Sequence, residues 1–240
     1  VVFSTFTEAF NHYGEDTVRA QQEKGRPFWQ ISMNRIKELR PIREFREGRG
    51  THIAKDLRPL FEIIMKSGPI DTLLDSGCGQ MEVTRFFVDY LKEFYPKIMV
   101  IGIDNSMYVA GYKLDKNLVF CLGDALHTDI PDKSVKVHIA GFLLQALNSS
   151  GRNDFFDELD RTMAPDGFAI FIEVLHKESM IANSINAIKH VFLNLFSPYL
   201  VKTDEGWKKM LQDHGLEIVD SVETEKRCRA YLTKRMSSAK

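Results

Sequence analysis

Residues 73–83, LLDSGCGQMEV, constrain the fold more than any other stretch of the chain. An apolar run over IDTLLD (70–75) ends in Asp75, and the chain then turns through Gly77 and Gly79. An amphipathic helix follows, with Val83, Phe86, Phe87, Tyr90, Leu91 and Phe94 on one face and Pro96 closing it. A strand that passes through a glycine turn into a helix opens a βαβ unit, and the sequence continues in that pattern. IMVIGID (98–104) is an almost continuous apolar run, as expected of a strand covered on both faces. Residues 106–114 can form a short helix. LVFCL (118–122), VKVHIAGF (135–142) and FAIFIEV (168–174) read as three further strands. The last two are separated by a helix after Ser149-Ser150-Gly151 and by the turn signal Pro165-Asp166-Gly167. An amphipathic helix over 178–197, a helix over 204–214 ended by Gly215, and strands over 216–222 and 228–233 follow. Ahead of the first strand, residues 51–67 are helical despite Pro59, with Ile53, Leu57, Leu60 and Ile64 at helical spacing. The alternation predicts an α/β domain with a mainly parallel sheet and right-handed crossovers.

Composition narrows the class. The chain has 240 residues, 44% hydrophobic and 27% charged, as in a globular protein with one large domain or a domain plus a cap. Its three cysteines, Cys78, Cys121 and Cys228, are odd in number and far apart. That argues against a disulfide framework or a zinc site, and for a reducing, intracellular, cytoplasmic setting. No run of about 18 apolar residues is present, so no membrane span is expected. The opening VVFSTFTEAF lacks the basic stretch and apolar core of a secretory signal. The net charge of −1 is uneven: residues 1–58 carry 11 Lys/Arg and 8 Asp/Glu, and residues 226–240 carry 6 Lys/Arg and no acid. A basic end of this kind is either a solvated terminus or a surface for nucleic acid.

In parallel sheets, ligands sit at the carboxyl ends of the strands, close to the topological switch point. Gly77 and Gly79 let a ligand approach the backbone. Asp104 can accept hydrogen bonds from a ribose diol, or cap a helix. Asp124, after Gly123, can accept from an exocyclic amine, or cap. Asp75 discriminates between nucleotides, because a carboxylate beside the turn repels pyrophosphate. A ligand with an ammonium and a positive sulfur but no phosphate tolerates that charge, and S-adenosylmethionine fits this description. It also relaxes the need for a third glycine where Met81 stands.

At this point the chain resembles a known family. LLDSGCGQMEVTRF, VIGIDNS, CLGDALHTDIPDKSV and FFDELDRTMAPDGFAIFIEV look like the successive motifs of class I S-adenosylmethionine-dependent methyltransferases. The third and fourth are similar to the ubiquinone/menaquinone-biosynthesis branch, and the likeness spans roughly residues 68–234. It implies a Rossmann-like, seven-stranded sheet with helices on both faces and the last strand antiparallel. Residues 68–240 would be the catalytic domain and 1–67 an N-terminal helical cap, with 177–200 a helical insertion in the lid. Asp75, Gly77 and Gly79 would surround the methionine part of the cofactor, and Asp104 would hold the ribose. Asn105 or Met107 would lie near the adenine, and Asp124 after Gly123 would hold its amine, with Ala125 and Leu126 packing nearby. Phe142 and Gln145 would line the site. Met81 departs from the family's small residue, and Lys136 stands where an Asp is frequent.

Methyl transfer from a sulfonium is an in-line displacement with its own leaving group, S-adenosylhomocysteine, so the protein supplies alignment and exclusion of water. No metal is required. If the acceptor must lose a proton, His12, Tyr13, Glu173 and His176 are the candidate bases, with His52 a further one. Phe3, Phe6, Phe10, Phe192, Phe196 and Tyr199 suit a small apolar or aromatic acceptor, or plain packing. Two alternatives stay open: methylation of nucleic acid such as RNA through the basic tail, and a non-catalytic scaffold. Against nucleic acid, GFLLQAL follows the fourth strand where amino-methylating DNA enzymes show Asn/Asp-Pro-Pro-Tyr, and no Pro-Cys occurs.

Overall fold

The computed structural model describes residues 3–13, 53, 55–79, 81–105, 116–175, 202–224 and 228–236. The expected helices over 106–114 and 178–197, the candidates His52, Met107 and His176, and the aromatics Phe192, Phe196 and Tyr199 lie outside them.

Seven strands form one sheet: β1 (Thr72–Ser76), β2 (Met99–Asp104), β3 (Leu118–Leu122), β4 (Val135–Gly141), β5 (Met163–Val174), β6 (Leu216–Thr224) and β7 (Cys228–Arg235). Their order is β3-β2-β1-β4-β5-β7-β6. β1 pairs in parallel with β2 and β4, β2 with β3, and β4 with β5. β7 runs antiparallel to both β5 and β6, so it alone reverses direction among these strands. The chain steps outward from β1 to β3 and then returns to β4, which places the switch point between β1 and β4.

Alternation along the strands feeds two cores. On one face, α1 (Arg58–Ser67) and α2 (Glu82–Leu91) bring Leu60, Phe61, Ile64, Phe87 and Leu91 against Val100, Val137 and Ile170. The Phe61 and Phe87 rings lie 4.2 Å apart. Pro59 is tolerated because it sits in the first turn of α1, where no backbone donor is needed. On the other face, α3 (Ser149–Thr162) and α4 (Asp204–Asp213) bury Phe155, Phe156, Leu159, Trp207 and Leu211 against Ala169, Phe171 and Tyr231. Residues 6–13 are helical and pack Phe6, Ala9 and Tyr13 on Ile101, Ile103 and Val119. The described parts of the 1–67 segment are thus divided between the two faces of the sheet. None of the described helices is long and apolar enough to cross a membrane.

Some boundaries differ from the sequence expectation. α3 starts at Ser149, because Asn148 is the N-cap and accepts from the Gly151 N–H at 2.7 Å. The Pro165-Asp166-Gly167 signal lies inside β5, at a register shift against β4 between Val135 and Val137. A Cβ on Gly167 would come within 2.9 Å of the Ala164 carbonyl, so glycine is required at this irregularity. Lys136 lies beside it, buried, and pairs with Asp166 at 2.6 Å at the amino end of β4. The described basic residues of the tail lie in β7 and make ion pairs. Arg229 meets Asp204 at 2.7 Å, Lys234 meets Glu217 at 3.4 Å, and Arg235 meets Asp160 at 2.6 Å.

Candidate functional site

The crevice at the carboxyl edge of the sheet holds a cavity of about 480 Å³. Gly77 closes it from the β1 turn, Asp104 and Asn105 from the end of β2, and Asp124, Ala125 and Leu126 from beyond β3. Gly141, Phe142, Leu143, Ala146 and Leu147 form the wall after β4.

The turn after β1 is tied to β2. The N–H groups of Gly77 and Cys78 donate to the Ile103 carbonyl at 2.8 and 3.1 Å, and the Gly79 N–H donates to the Asp104 carboxylate at 2.8 Å. Asp104 therefore shapes the glycine turn as well as lining the cavity. Three positions in this turn are left-handed: Gly77 (φ 71), Gly79 (φ 55) and Met81 (φ 59). A Cβ at Gly77 would meet Leu143 Cδ1 at 3.0 Å, so the strand-end turn and the wall after β4 approach through the space its missing side chain leaves.

Met81 is the N-cap residue of α2 and is completely buried. A Cβ built on Gly102 of β2 would lie 2.7 Å from Met81 Cε and 2.9 Å from Cys78 Sγ. The Met81 side chain thus occupies room left by a glycine in the middle of a strand. Burial of a methionine side chain outweighs the roughly 1–2 kcal/mol cost of a left-handed non-glycine residue.

Asp75 does not line the cavity. It lies beneath the turn, 3% exposed, and accepts a hydrogen bond from the Thr84 hydroxyl. Burial pushes its carboxyl up to about 7, against the pull of the Thr84 bond and with help from the nearby charge of Asp104. Burial, followed by Asp75 and Asp104, also raises the Cys78 thiol well above its usual range. Because the folded state holds the Asp75 proton more tightly than the unfolded chain, its stabilising effect is complete below about pH 3.8 and fades as pH rises through 7. The ligand-free parent is expected to lose about 2–3 kcal/mol more stability than Asp75→Asn between pH 5 and pH 8. Urea denaturation at the two pH values checks this.

Asp124 is exposed at the mouth and accepts from the Leu126 N–H at 3.0 Å, so it caps its own turn. Gly123 donates its N–H to the Asp104 carbonyl at 3.1 Å, which links the ends of β2 and β3. Ala125 is buried below it. Gln145 and Gly79 adjoin the cavity-lining turns without lining the cavity. Of the candidate bases, Glu173 is fully buried at the end of β5, and Tyr13 is buried with its ring 5.7 Å from that of Phe3. His12 lies against the same Phe3 at 5.1 Å. None of these three lines the cavity. Gly141 is a strand-end residue by sequence, whereas Leu143, Ala146 and Leu147 are not marked out by it. Their only signal is membership of GFLLQAL, an apolar run at a strand end. Among the described residues, no cluster of three or more His, Cys, Asp or Glu is set to hold a metal ion.

Residues 74–171 match a family model described as a methyltransferase domain. No curated protein matches the sequence. Among solved structures, the chain is similar to human N-acetylserotonin methyltransferase in complex with S-adenosylmethionine, at 15% identity and a TM-score of 0.56. That match covers 97% of this chain and 68% of the other. It is also similar to the mitomycin 7-O-methyltransferase MmcR, at 17% identity and a TM-score of 0.60, over 95% of this chain and 66% of that one. A third similar chain comes from the complex between the Haloferax volcanii Trm112 methyltransferase activator and a methyltransferase. It matches at 14% identity and a TM-score of 0.57, over 79% of this chain and 95% of that one. At these identities the likeness is one of fold. The family model matches a stretch shorter than half of the chain, and it agrees with the shared fold in likening the chain to S-adenosylmethionine-dependent methyltransferases.

Proposed function

We propose that the chain transfers a methyl group from S-adenosylmethionine to a small apolar or aromatic acceptor. The observation that carries this is the make-up of the cavity: two carboxylates, Asp104 and Asp124, beside walls of Ala125, Leu126, Phe142 and Leu143. Carboxylates and apolar walls suit an adenosyl group and a cationic tail, and the same two carboxylates disfavour pyrophosphate. Bound there, S-adenosylmethionine supplies a methyl group on a positive sulfur and leaves as a neutral thioether. Asp104 holds the ribose hydroxyls, and Asp124 meets the adenine amine with Asn105 beside it. The turn at Gly77 and Gly79 lets the methionine part approach the backbone. Phe142, Leu143 and Leu147 exclude water from the reacting end. The names of two similar proteins, an N-acetylserotonin methyltransferase and a mitomycin 7-O-methyltransferase, support the same class of acceptor. The pairing of Arg229, Lys234 and Arg235 with acids removes much of the basic surface that a nucleic-acid substrate would use.

The test combines calorimetric titration with S-adenosylmethionine and an assay for S-adenosylhomocysteine release over a panel of phenols, quinols and structured RNA. Binding, with turnover on members of the small-molecule set, is the expected result. No binding would return the chain to the scaffold alternative, and turnover only on RNA, weakening steeply with salt, would replace the acceptor class.

A further inference from the structure

The cavity wall after β4 has a constrained backbone. Phe142 holds φ 60, a left-handed value that a bulky residue rarely adopts. No glycine, Asn or Asp at that position favours it, so the constraint comes from outside the turn. The Phe142 N–H donates to the Ile172 carbonyl at 2.7 Å, and the Leu144 N–H donates to Glu173 Oε1 at 3.1 Å. The Gln145 N–H also faces this carboxyl. From α3, Arg152 Nη1 donates to the carbonyl of Leu147 and, at 3.5 Å, to that of Leu144. The end of β5 therefore grips the N–H groups of this turn while a guanidinium grips its carbonyls. The gripped segment puts Phe142, Leu143, Ala146 and Leu147 on the cavity. Glu173 is 0% exposed, and among the described residues its Oε2 has no hydrogen-bond partner.

We propose that Glu173 is a positioning residue: it fixes the wall of the cofactor cavity by accepting the Leu144 N–H, with the Gln145 N–H facing the same carboxyl, and it is not the base of the reaction. This rests on the methyltransferase reading of the cavity. A general base needs an ionised oxygen within reach of the acceptor, and Glu173 neither lines the cavity nor meets solvent. Burial holds its carboxyl well above the usual range, against the opposing pull of the two N–H groups and Arg152. A carboxyl that accepts on one oxygen and keeps its proton on the other does what a carboxamide does. Gln at 173 therefore replaces it, and Ala does not.

The experiment compares Glu173→Gln with Glu173→Ala by amide hydrogen exchange, donor titration and turnover. In Glu173→Ala, exchange at Leu144 and Gln145 is expected to quicken about tenfold or more relative to Val100 in β2, with a similar rise in the S-adenosylmethionine dissociation constant. Glu173→Gln is expected to stay within about threefold of the parent in all three readings. Unchanged exchange in Glu173→Ala overturns the clamp. A fall in turnover of about 100-fold or more in Glu173→Gln, with normal donor binding, overturns it in favour of a base. If Glu173→Ala does not fold, Glu173→Gln decides alone through its exchange and turnover. If the parent does not bind S-adenosylmethionine, the methyltransferase reading fails, while the exchange rates still decide whether Glu173 holds the turn.

Discussion

Asp104→Ala raises the dissociation constant of S-adenosylmethionine by about 10- to 150-fold, the equivalent of about 1.5–3 kcal/mol. Two losses combine in that figure. The ribose hydroxyls lose a charged acceptor, and the Gly79 N–H loses the carboxylate that now holds it at 2.8 Å. Asp104→Asn separates the two, because a carboxamide oxygen can still accept from Gly79 while the charge is gone. It is expected to fall between the parent and the Ala variant. Calorimetric titration reads all three proteins, with NAD as the control ligand. Unchanged affinity in Asp104→Ala would sink the ribose assignment, and tighter binding of NAD than of S-adenosylmethionine would sink the cofactor reading as a whole.

Met81→Gly, which puts a third glycine into the turn after Gly77 and Gly79, is expected to destabilise the fold by up to about 4 kcal/mol. The backbone gains, since φ 59 costs a glycine nothing and a methionine about 1–2 kcal/mol. The core loses more. The side chain is completely buried against Gly102, and emptying such a site costs about 2–5 kcal/mol. Chemical denaturation measures the balance. A more stable Met81→Gly would mean that the turn, and not the packing on β2, governs this position.

The layout of the sheet was legible because its strands announce themselves. IMVIGID is an apolar run of the kind a strand covered on both faces shows, and β3 has the expected bounds of 118–122. Glycine turns after β1 and acids after β2 and β3 then follow from strand ends alone. Other features were hidden for physical reasons. Pro165-Asp166-Gly167 carries the chemistry of a turn and does interrupt the pairing: no residue between Met163 and Phe168 has a partner on β4, yet the strand resumes beyond it, so the signal marks an irregularity inside β5 and not its start. The strand over 228–233 is legible in the sequence, but its charge run does not report that Arg229, Lys234 and Arg235 pair with acids at 204, 217 and 160. Glu173 stood out only as an acid after a strand. Its contact with Leu144 joins residues 29 apart in the chain, which no local pattern reports. Met81 was an anomaly in one turn until Gly102 on the neighbouring strand accounted for it.

The position of β7 has a consequence for how the molecule is made. It follows the other six strands in the chain, yet it lies inside the sheet, with β5 on one side and β6 on the other. While a nascent chain is still short of Cys228, β5 and β6 have no strand between them, and the unpaired edge of β5 belongs to the strand that carries Glu173. The sheet therefore cannot close as synthesis proceeds. It closes when residues 228–235 clear the ribosome: β7 pairs with the adjacent edge strand β6 and docks on the open edge of β5, and that docking sets a late point for assembly.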